Sequence, residues 1–397
     1  MKVFVFDLLQ YGQNLKHLTT DGQHLPFPMV KKHFDPEVAV KTYAEHLDAW
    51  VELERLGFDG VAFNEHHATP YGLMNSPNLL AASIAQRTKK LKLLMYGNLL
   101  PLHDPLRLAE EIAMLDCLSD GRIICGVARG AAREYRVMGV PLPESRARFD
   151  ECFEIMRRAW TEESFSFEGK FNSYKDVALW PRPVQQPHPP VWVPITGSKD
   201  SIDWAVANDI PITPGIPGPA REDTIRYYVE GMAKRGKKVT PDYLNIMVSS
   251  YIADSKERAI EEVGPYAIYF HNTLFNFDHV RAAQSAGYYQ QGSEEHLRKE
   301  LRASHDDSMR MKDMTMDDIR MQAEVMPWGT ADEVARRIIA EADAVGAGTV
   351  LVNMNRGSMP QDMFLKQIHR FAEKVLPKLH AHNITRVPLA DSALPRA

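Results

Sequence analysis

The sequence predicts an α/β protein folded as a TIM-type (β/α)8 barrel. Three observations carry that expectation. Short apolar runs alternate with amphipathic stretches along most of the 397 residues. Such alternation makes a parallel sheet with crossover helices, and about eight repeats in one domain close it into a barrel. Turn chemistry separates the runs: Asp35-Pro36 and Asp104-Pro105 open helices, Gly57 ends one, and Ser119-Asp120-Gly121 makes a turn. Finally, polar and charged residues gather where strands run out, as in Asn64-Glu65-His66-His67 after Gly60-Val61-Ala62-Phe63. In parallel β/α folds, ligands and chemistry collect at those C-terminal strand ends.

Residues 3–9 read as strand one. The helix opened by Pro36 carries Val40, Tyr43, Ala44, Leu47, Trp50 and Val51 at helical spacing. Strand two covers 59–63, helix two 76–87 and strand three 91–96, followed by Gly97-Asn98. Helix three spans 104–118 and strand four 122–127, with Ala128-Arg129-Gly130 at its end. Helix four covers 145–160. The Pro- and aromatic-rich stretch 165–190 reads as a hairpin and loop. Strand five covers 191–195 and ends in Thr196-Gly197-Ser198, before a helix over 200–207. A weak strand six lies at 210–212, strand seven at 243–252 and strand eight at 349–352. The helix before strand eight begins at Thr330 and shows Val334, Ile338 and Val345. A last helix runs to about 379.

This pattern gives one barrel domain over 1–380 and a loose C-terminal tail over 381–397. One segment, about 265–327, breaks the rhythm between strand seven and its main helix. A connection that long is usually functional or disordered. Its aromatics, among them Tyr266, Tyr269, Phe270, His271, Phe275, Phe277, Tyr288 and Tyr289, argue for a lid.

Composition excludes several classes. Hydrophobic residues make up 44% and charged residues 25%, as in an ordinary globular chain. The net charge is −5 with no basic block, which argues against nucleic acid. Cys117, Cys125 and Cys152 show no CxxC spacing and suit a reducing compartment. Met1-Lys2 leads straight into an apolar strand without a leader-like run, and no stretch reads as a membrane span, so the cytoplasm is expected. GxGxxG after strand one, GxxxxGK[ST] and GxSxG are all missing, so nicotinamide or ATP binding by those routes is not supported.

Four groups could carry chemistry. In Glu65-His66-His67, adjacent residues of an extended chain point to opposite sides, so the two histidines do not readily share a metal. Either a histidine pairs structurally under the rim with Glu65, or His66 faces the cavity for proton transfer with Glu65 as its orienting partner. No metal site is expected. Arg129, with Arg133 and Arg136 behind it, stands where an anion or a flavin edge would bind, or pairs with loop carboxylates. Ser198 and Ser201 at a helix start either cradle a phosphate or simply cap the helix. Tyr96-Gly97-Asn98 either admits a planar ligand or is a bulge.

Taken in order, several motifs resemble the bacterial luciferase-like family of flavin-dependent oxidoreductases. They are Gly57-Phe58-Asp59-Gly60 with Glu65-His66-His67, Leu100 to Arg107, Leu115-Asp116 with Ser119-Asp120-Gly121-Arg122, Gly126 to Gly130, Ser145-Arg146, Gly329-Thr330, and Phe371 to Pro377. The resemblance covers nearly the whole chain. It implies a luciferase-like barrel binding reduced FMN at the C-terminal rim, and a monooxygenase that oxygenates a small apolar or aromatic substrate with O2 through a flavin peroxide. It implies that His66 is the catalytic histidine, that Arg129 contacts the flavin and that Arg146 binds its phosphate. Gly197, Ser198 and Ser201 fall at the family's phosphate loop, though Gly197 replaces an acidic residue there and the loop carries one extra residue. Tyr96-Gly97-Asn98 falls where the family places a non-prolyl cis peptide, which makes Gly97 and Asn98 cofactor-binding candidates. A separate NAD(P)H:flavin reductase and a homodimer through helices two and three are the implied partners. The alternatives are an F420-dependent dehydrogenase of the same superfamily and a flavin-binding protein without turnover.

Overall fold

The computed structural model describes residues 1–19, 25, 29–195, 198–215, 219–275 and 313–393. The first half of the chain runs β1 (Lys2–Phe6), α1 (Pro36–Arg55), β2 (Gly60–Phe63), α2 (Pro77–Ala85), β3 (Lys92–Leu99), α3 (Pro105–Ser119), β4 (Ile123–Ala128), α4 (Ala132–Met138) and α5 (Ser145–Thr161). A hairpin of β5 (Phe165–Glu168) and β6 (Ser173–Val177) follows. Then come β7 (Val191–Ile195), α6 (Lys199–Asn208), β8 (Ile212–Pro214), α7 (Pro219–Lys234), β9 (Asn245–Ser249), β10 (Tyr251–Ile252) and α8 (Lys256–Tyr269). The chain closes with α9 (Met316–Ala323), β11 (Trp328–Gly329), α10 (Ala331–Val345), β12 (Thr349–Asn353), α11 (Gln361–Lys374), α12 (Leu376–Ala381) and α13 (Pro388–Ala393).

Eight strands pair in the order β8-β7-β4-β3-β2-β1-β12-β9, every pairing parallel. A single parallel bridge between Ile212 and Leu244 brings the two ends of that order together, so the expected barrel is present and nearly closed. The period-two alternation of a strand sorts the side chains. Val3, Val5, Val61, Phe63, Leu93, Met95 and Cys125 face the helices and form the main core with them. Phe4, Phe6, Ala62, Leu94, Tyr96, Ile124, Trp192 and Leu351 fill the barrel itself. Phe4 stacks on Trp192 across the lumen at 6.0 Å. A polar thread crosses the same space: the Tyr96 hydroxyl donates to Thr213, whose hydroxyl donates to the Asn245 side-chain carbonyl.

The structure departs from expectation at four places. α4 was not anticipated, because 132–138 carries charges on most faces and no apolar stripe. Strand seven splits into β9 and β10. The insertion starts earlier than 265: β10 pairs with β11, Tyr251 opposite Trp328, and α8 already occupies the space between them. Phe270–Phe275 continues α8 as a π-helical turn. Phe277, Tyr288 and Tyr289 lie outside the described residues. The stretch expected as a loose tail includes α13, with Val387 and Ala390 buried, because its apolar positions find a groove beside α7 and α10. Among the described residues no helix is long and apolar enough to cross a membrane.

β3 and β4 approach tightly at Gly126. A Cβ on Gly126 would lie 2.1 Å from the Met95 carbonyl oxygen and 2.9 Å from the Tyr96 Cα, both backbone atoms that cannot swing aside. Gly126→Ala is expected to lower the unfolding free energy by about 3 kcal/mol, read from urea denaturation. Wild-type stability in that variant would refute the tight β3–β4 approach.

Candidate active site

Three strand ends build the rim. Beyond Phe6, Asp7 turns outward and is buried against α1, accepting from His46 Nδ1 at 2.6 Å, Trp50 Nε1 at 3.0 Å and the Leu9 N–H at 3.0 Å. Beyond Phe63 the same alternation continues, with Asn64 inward, Glu65 outward and His66 inward. Glu65 is fully buried. Its carboxylate accepts from the Leu99 N–H at 2.9 Å, from His67 Nε2 at 2.8 Å and from His103 Nε2 at 2.9 Å. Burial alone would raise its pKa; the bonds from His103 and His67 outweigh burial and hold it at about 2. His103 is raised in turn: burial opposes its charge, but Glu65 more than compensates. The expected pairing of Glu65 with His66 therefore does not form. Neighbours on a strand face opposite ways, and Glu65 spends its oxygens tying β2 to the end of β3 and to the approach to α3.

The carboxylate beside His66 is Glu134, on α4. His66 Nδ1 lies 2.8 Å from Glu134 Oε1, and the glutamate side chain is fully buried. Glu134 also accepts from the Ala131 N–H at 2.6 Å, so it closes the start of its own helix. Burial pushes its pKa up, but His66 and the Ala131 N–H hold it below the usual carboxylate range. An ionised Glu134 can only accept, so it assigns a proton to His66 Nδ1 and leaves Nε2 outside that contact. Among the described residues Nε2 has no hydrogen-bond partner. The ring stands edge-on to Tyr71 at 4.9 Å between centroids, and burial pushes the Tyr71 hydroxyl up to about 12.

The remaining predicted residues fall in two places. The Tyr96–Gly97 peptide is cis, at an irregularity in the β3–β4 register between Met95 and Asn98. Asn98 donates weakly to the Gly126 carbonyl at 3.5 Å, and its buried Oδ1 has no partner among the described residues. Asn64 Oδ1 is likewise buried and unpartnered, beside Gly72 and the His66 ring. Arg129 follows β4, its carbonyl accepting from the Tyr135 hydroxyl. In the sector between β4 and β7, Phe149 and Phe153 both pack edge-on against Trp204 at 4.8 Å, docking α5 on α6. Arg146 and Ser201 each sit one turn closer to the helix starts than those aromatics, so they share one end of the pair. Arg146 is partly exposed, lies over Phe149 at 5.0 Å and pairs with Asp150. Ser198 precedes α6, and its side chain makes no cap bond. Gly197 lies outside the described residues.

Glu134, His103 and Tyr71 were not anticipated. Glu134 is 68 positions from His66, a proximity made by the barrel rather than by local pattern. Its one local signal is a glutamate three residues after Ala131, where it can bond back to a helix start. Among the described residues no group of three or more His, Cys, Asp or Glu is placed to hold a metal ion.

The sequence profile of the luciferase-like monooxygenases matches residues 23–348. The chain belongs to this family. As an enzyme it falls in the flavin-dependent monooxygenase class. The uncharacterized protein y4wF of Sinorhizobium fredii is 30% identical over 335 residues, covering 83% of this chain and 90% of that protein. The oxygenase component of the flavin-dependent trigonelline monooxygenase of Acinetobacter baylyi is 27% identical over 238 residues, covering 59% of this chain and 66% of that protein. Among solved structures, the monooxygenase RslO1 of Streptomyces bottropensis superposes with a TM-score of 0.69 at 26% identity, covering 95% of this chain and 99% of that one. The luciferase-like resemblance read from the ordered motifs therefore holds.

Glu65→Gln leaves His67 and His103 without their shared anion and is expected to cost about 3 kcal/mol at neutral pH. Glu65 is depressed from 4.5 to about 2 on folding, so its contribution is present above pH 4.5 and is lost as the pH falls toward 2. Urea denaturation across that range should show the wild type converging on Glu65→Gln. A gap that stays constant down to pH 2 would contradict the assignment.

Proposed function

We propose that the protein uses reduced FMN and O2 to oxygenate a small organic substrate. The observation that carries this reading is the His66–Glu134 pair: a histidine at the mouth of a luciferase-like barrel, with one nitrogen fixed by a buried carboxylate and the other open. The residues present suit FMN. Arg146 at the start of α5 and Ser198 and Ser201 at the start of α6 offer cationic and hydroxyl donors from two neighbouring helix starts, a donor set for a phosphate dianion. The unpartnered Asn64 and Asn98 oxygens are acceptors for the N–H groups of a reduced flavin ring. Gly97 and Arg129, at the ends of β3 and β4, complete the cofactor wall, with Gly197 assigned to the phosphate loop.

Reduced FMN, when bound, supplies the electrons that activate oxygen. The chain supplies the rest. His66 Nε2 holds or accepts a proton at the mouth, and Glu134 keeps Nδ1 protonated and the ring oriented. Glu65 serves as a positioning residue by fixing the strand end from which His66 projects. Phe6, Tyr96 and Ile124 close the lumen beneath and keep water from that side. The likeness to a protein named as an oxygenase component, and the missing second nucleotide motif, support a separate NAD(P)H:flavin reductase. Exposed Leu79 on α2 with Met114 and Leu118 on α3 supports a homodimer through those helices.

The test mixes protein with chemically reduced FMN without oxygen, then admits air and follows flavin absorbance. Reduced FMN should bind, reduced F420 should not, and reoxidation should differ from that of free flavin. His66→Ala should shift the reoxidation rate toward the free value by about tenfold or more, and Glu134→Gln should do so in part. Arg146→Ala should weaken FMN about tenfold without affecting riboflavin. Preference for F420 would favour hydride transfer instead, and unaltered reoxidation in His66→Ala would favour a binding protein without turnover.

A further inference from the structure

A cationic side chain faces the site from the wall opposite the phosphate donors. β12 runs out at Asn353, and three residues later comes Arg356. Gly357 is left-handed, with φ +57, and a Cβ there would lie 2.1 Å from the Tyr266 carbonyl oxygen. Only a glycine lets this loop press against the end of α8. Ser358 anchors the far side, bonding the Tyr11 carbonyl at 2.8 Å and the Gln10 side chain at 3.3 Å. The loop is thus pinned to α8 at Gly357 and to the segment after β1 at Ser358, directly after Arg356.

What holds the guanidinium is unusual for an arginine inside a rim. Its plane lies over the Phe270 ring at 5.2 Å, and Nε donates to the Ser249 hydroxyl at 2.8 Å. Among the described residues it has no carboxylate partner. Burial pushes it down to about 10, yet it stays charged at neutral pH. Its neighbours are neutral: burial and the Arg356 charge hold His271 down to about 4, and Tyr71 keeps its proton. Arg133 adds a second positive charge felt at Tyr71, against the carboxylate of Glu134. The contact chain Arg356–Phe270–Tyr71–His66 joins this cation to the proposed catalytic histidine. Around the barrel, β12 lies opposite β4, whereas Arg146, Ser198 and Ser201 occupy the β4–β7 sector.

We infer that Arg356 receives the anionic end of the substrate, which is a small carboxylate with an apolar or aromatic body. Ser249 and Phe270 fix the fork so that its two terminal nitrogens are presented together, the geometry that a carboxylate meets with two parallel hydrogen bonds. The aromatic wall of Phe270 and Tyr71 takes the body and brings it beside His66. The inference rests on the flavin reading only in assigning the opposite wall to the flavin phosphate.

The experiment measures binding of benzoate, nicotinate, phenylacetate and octanoate, each against its own amide, to the flavin-free full-length protein by calorimetry. At least one carboxylate should bind about tenfold or more tightly than its amide. Arg356→Gln should abolish that preference and Arg356→Lys should retain part of it. Because no carboxylate among the described residues is stranded by the change, Arg356→Gln should melt no lower than wild type; if it fails to fold, the drop in preference in Arg356→Lys decides. No carboxylate preferred over its amide, or a preference that survives in Arg356→Gln, overturns the inference. A second arm compares reduced FMN with riboflavin. If Arg356→Gln erases the preference for FMN, the guanidinium holds the flavin phosphate and the inference falls while the flavin reading stands. If reduced FMN does not bind at all, the flavin reading falls and the amide comparison still decides this one.

Discussion

The rim is organised around a buried anion at the end of β2. Glu65 accepts from the backbone of Leu99 and from two histidines, so it joins the end of β2, the end of β3 and the turn before α3 at one point. Side chains alternate along a strand, so fixing Glu65 outward fixes His66 inward. A slip of one residue would exchange them, burying a histidine among helices and presenting a carboxylate at the mouth. Asp7 does the same for β1 and α1. These carboxylates set which face of each strand end is displayed, and the displayed residues then meet their partners from other repeats.

The barrel was legible because its signals are local. The apolar run that begins Val3-Phe4-Val5-Phe6 reads as a strand, and Asp104-Pro105 reads as a helix start. The site was legible in part. The position of His66 follows from where an apolar run stops. Its partner does not, because Glu134 reaches it through the closure of β2, β3 and β4 and sits on a short helix with no apolar stripe. Glu65 was assigned to the wrong histidine because adjacency in sequence is not adjacency in space on an extended chain. Arg356 is hidden in the sequence for a related reason. Asn355-Arg356-Gly357 reads as an ordinary loop, and its meaning comes from Phe270 and Ser249, which two other elements supply.

The mouth is consequently divided by charge as well as by shape. One sector carries an arginine at the start of α5 and two serines at the start of α6; the opposite wall carries an arginine over an aromatic ring. Between them stands a histidine whose proton is assigned by a carboxylate beneath it. A ligand set with a single negative group would find two places to go, whereas two ligands, each with its own negative end, would be sorted to opposite walls with their bodies meeting over His66.

The polar thread through the lumen has a mechanical meaning. β8 is three residues long and meets its neighbour toward β9 through one backbone bridge, so the ring of hydrogen bonds has a thin link there. Tyr96, Thr213 and Asn245 belong to β3, β8 and β9, and their side chains span that link from inside. The hoop is therefore completed by a cross-tie rather than by its own staves. A change that shortens the tie loosens the circumference at its weakest seam, and it does so right beside Gly97, which Tyr96 immediately precedes.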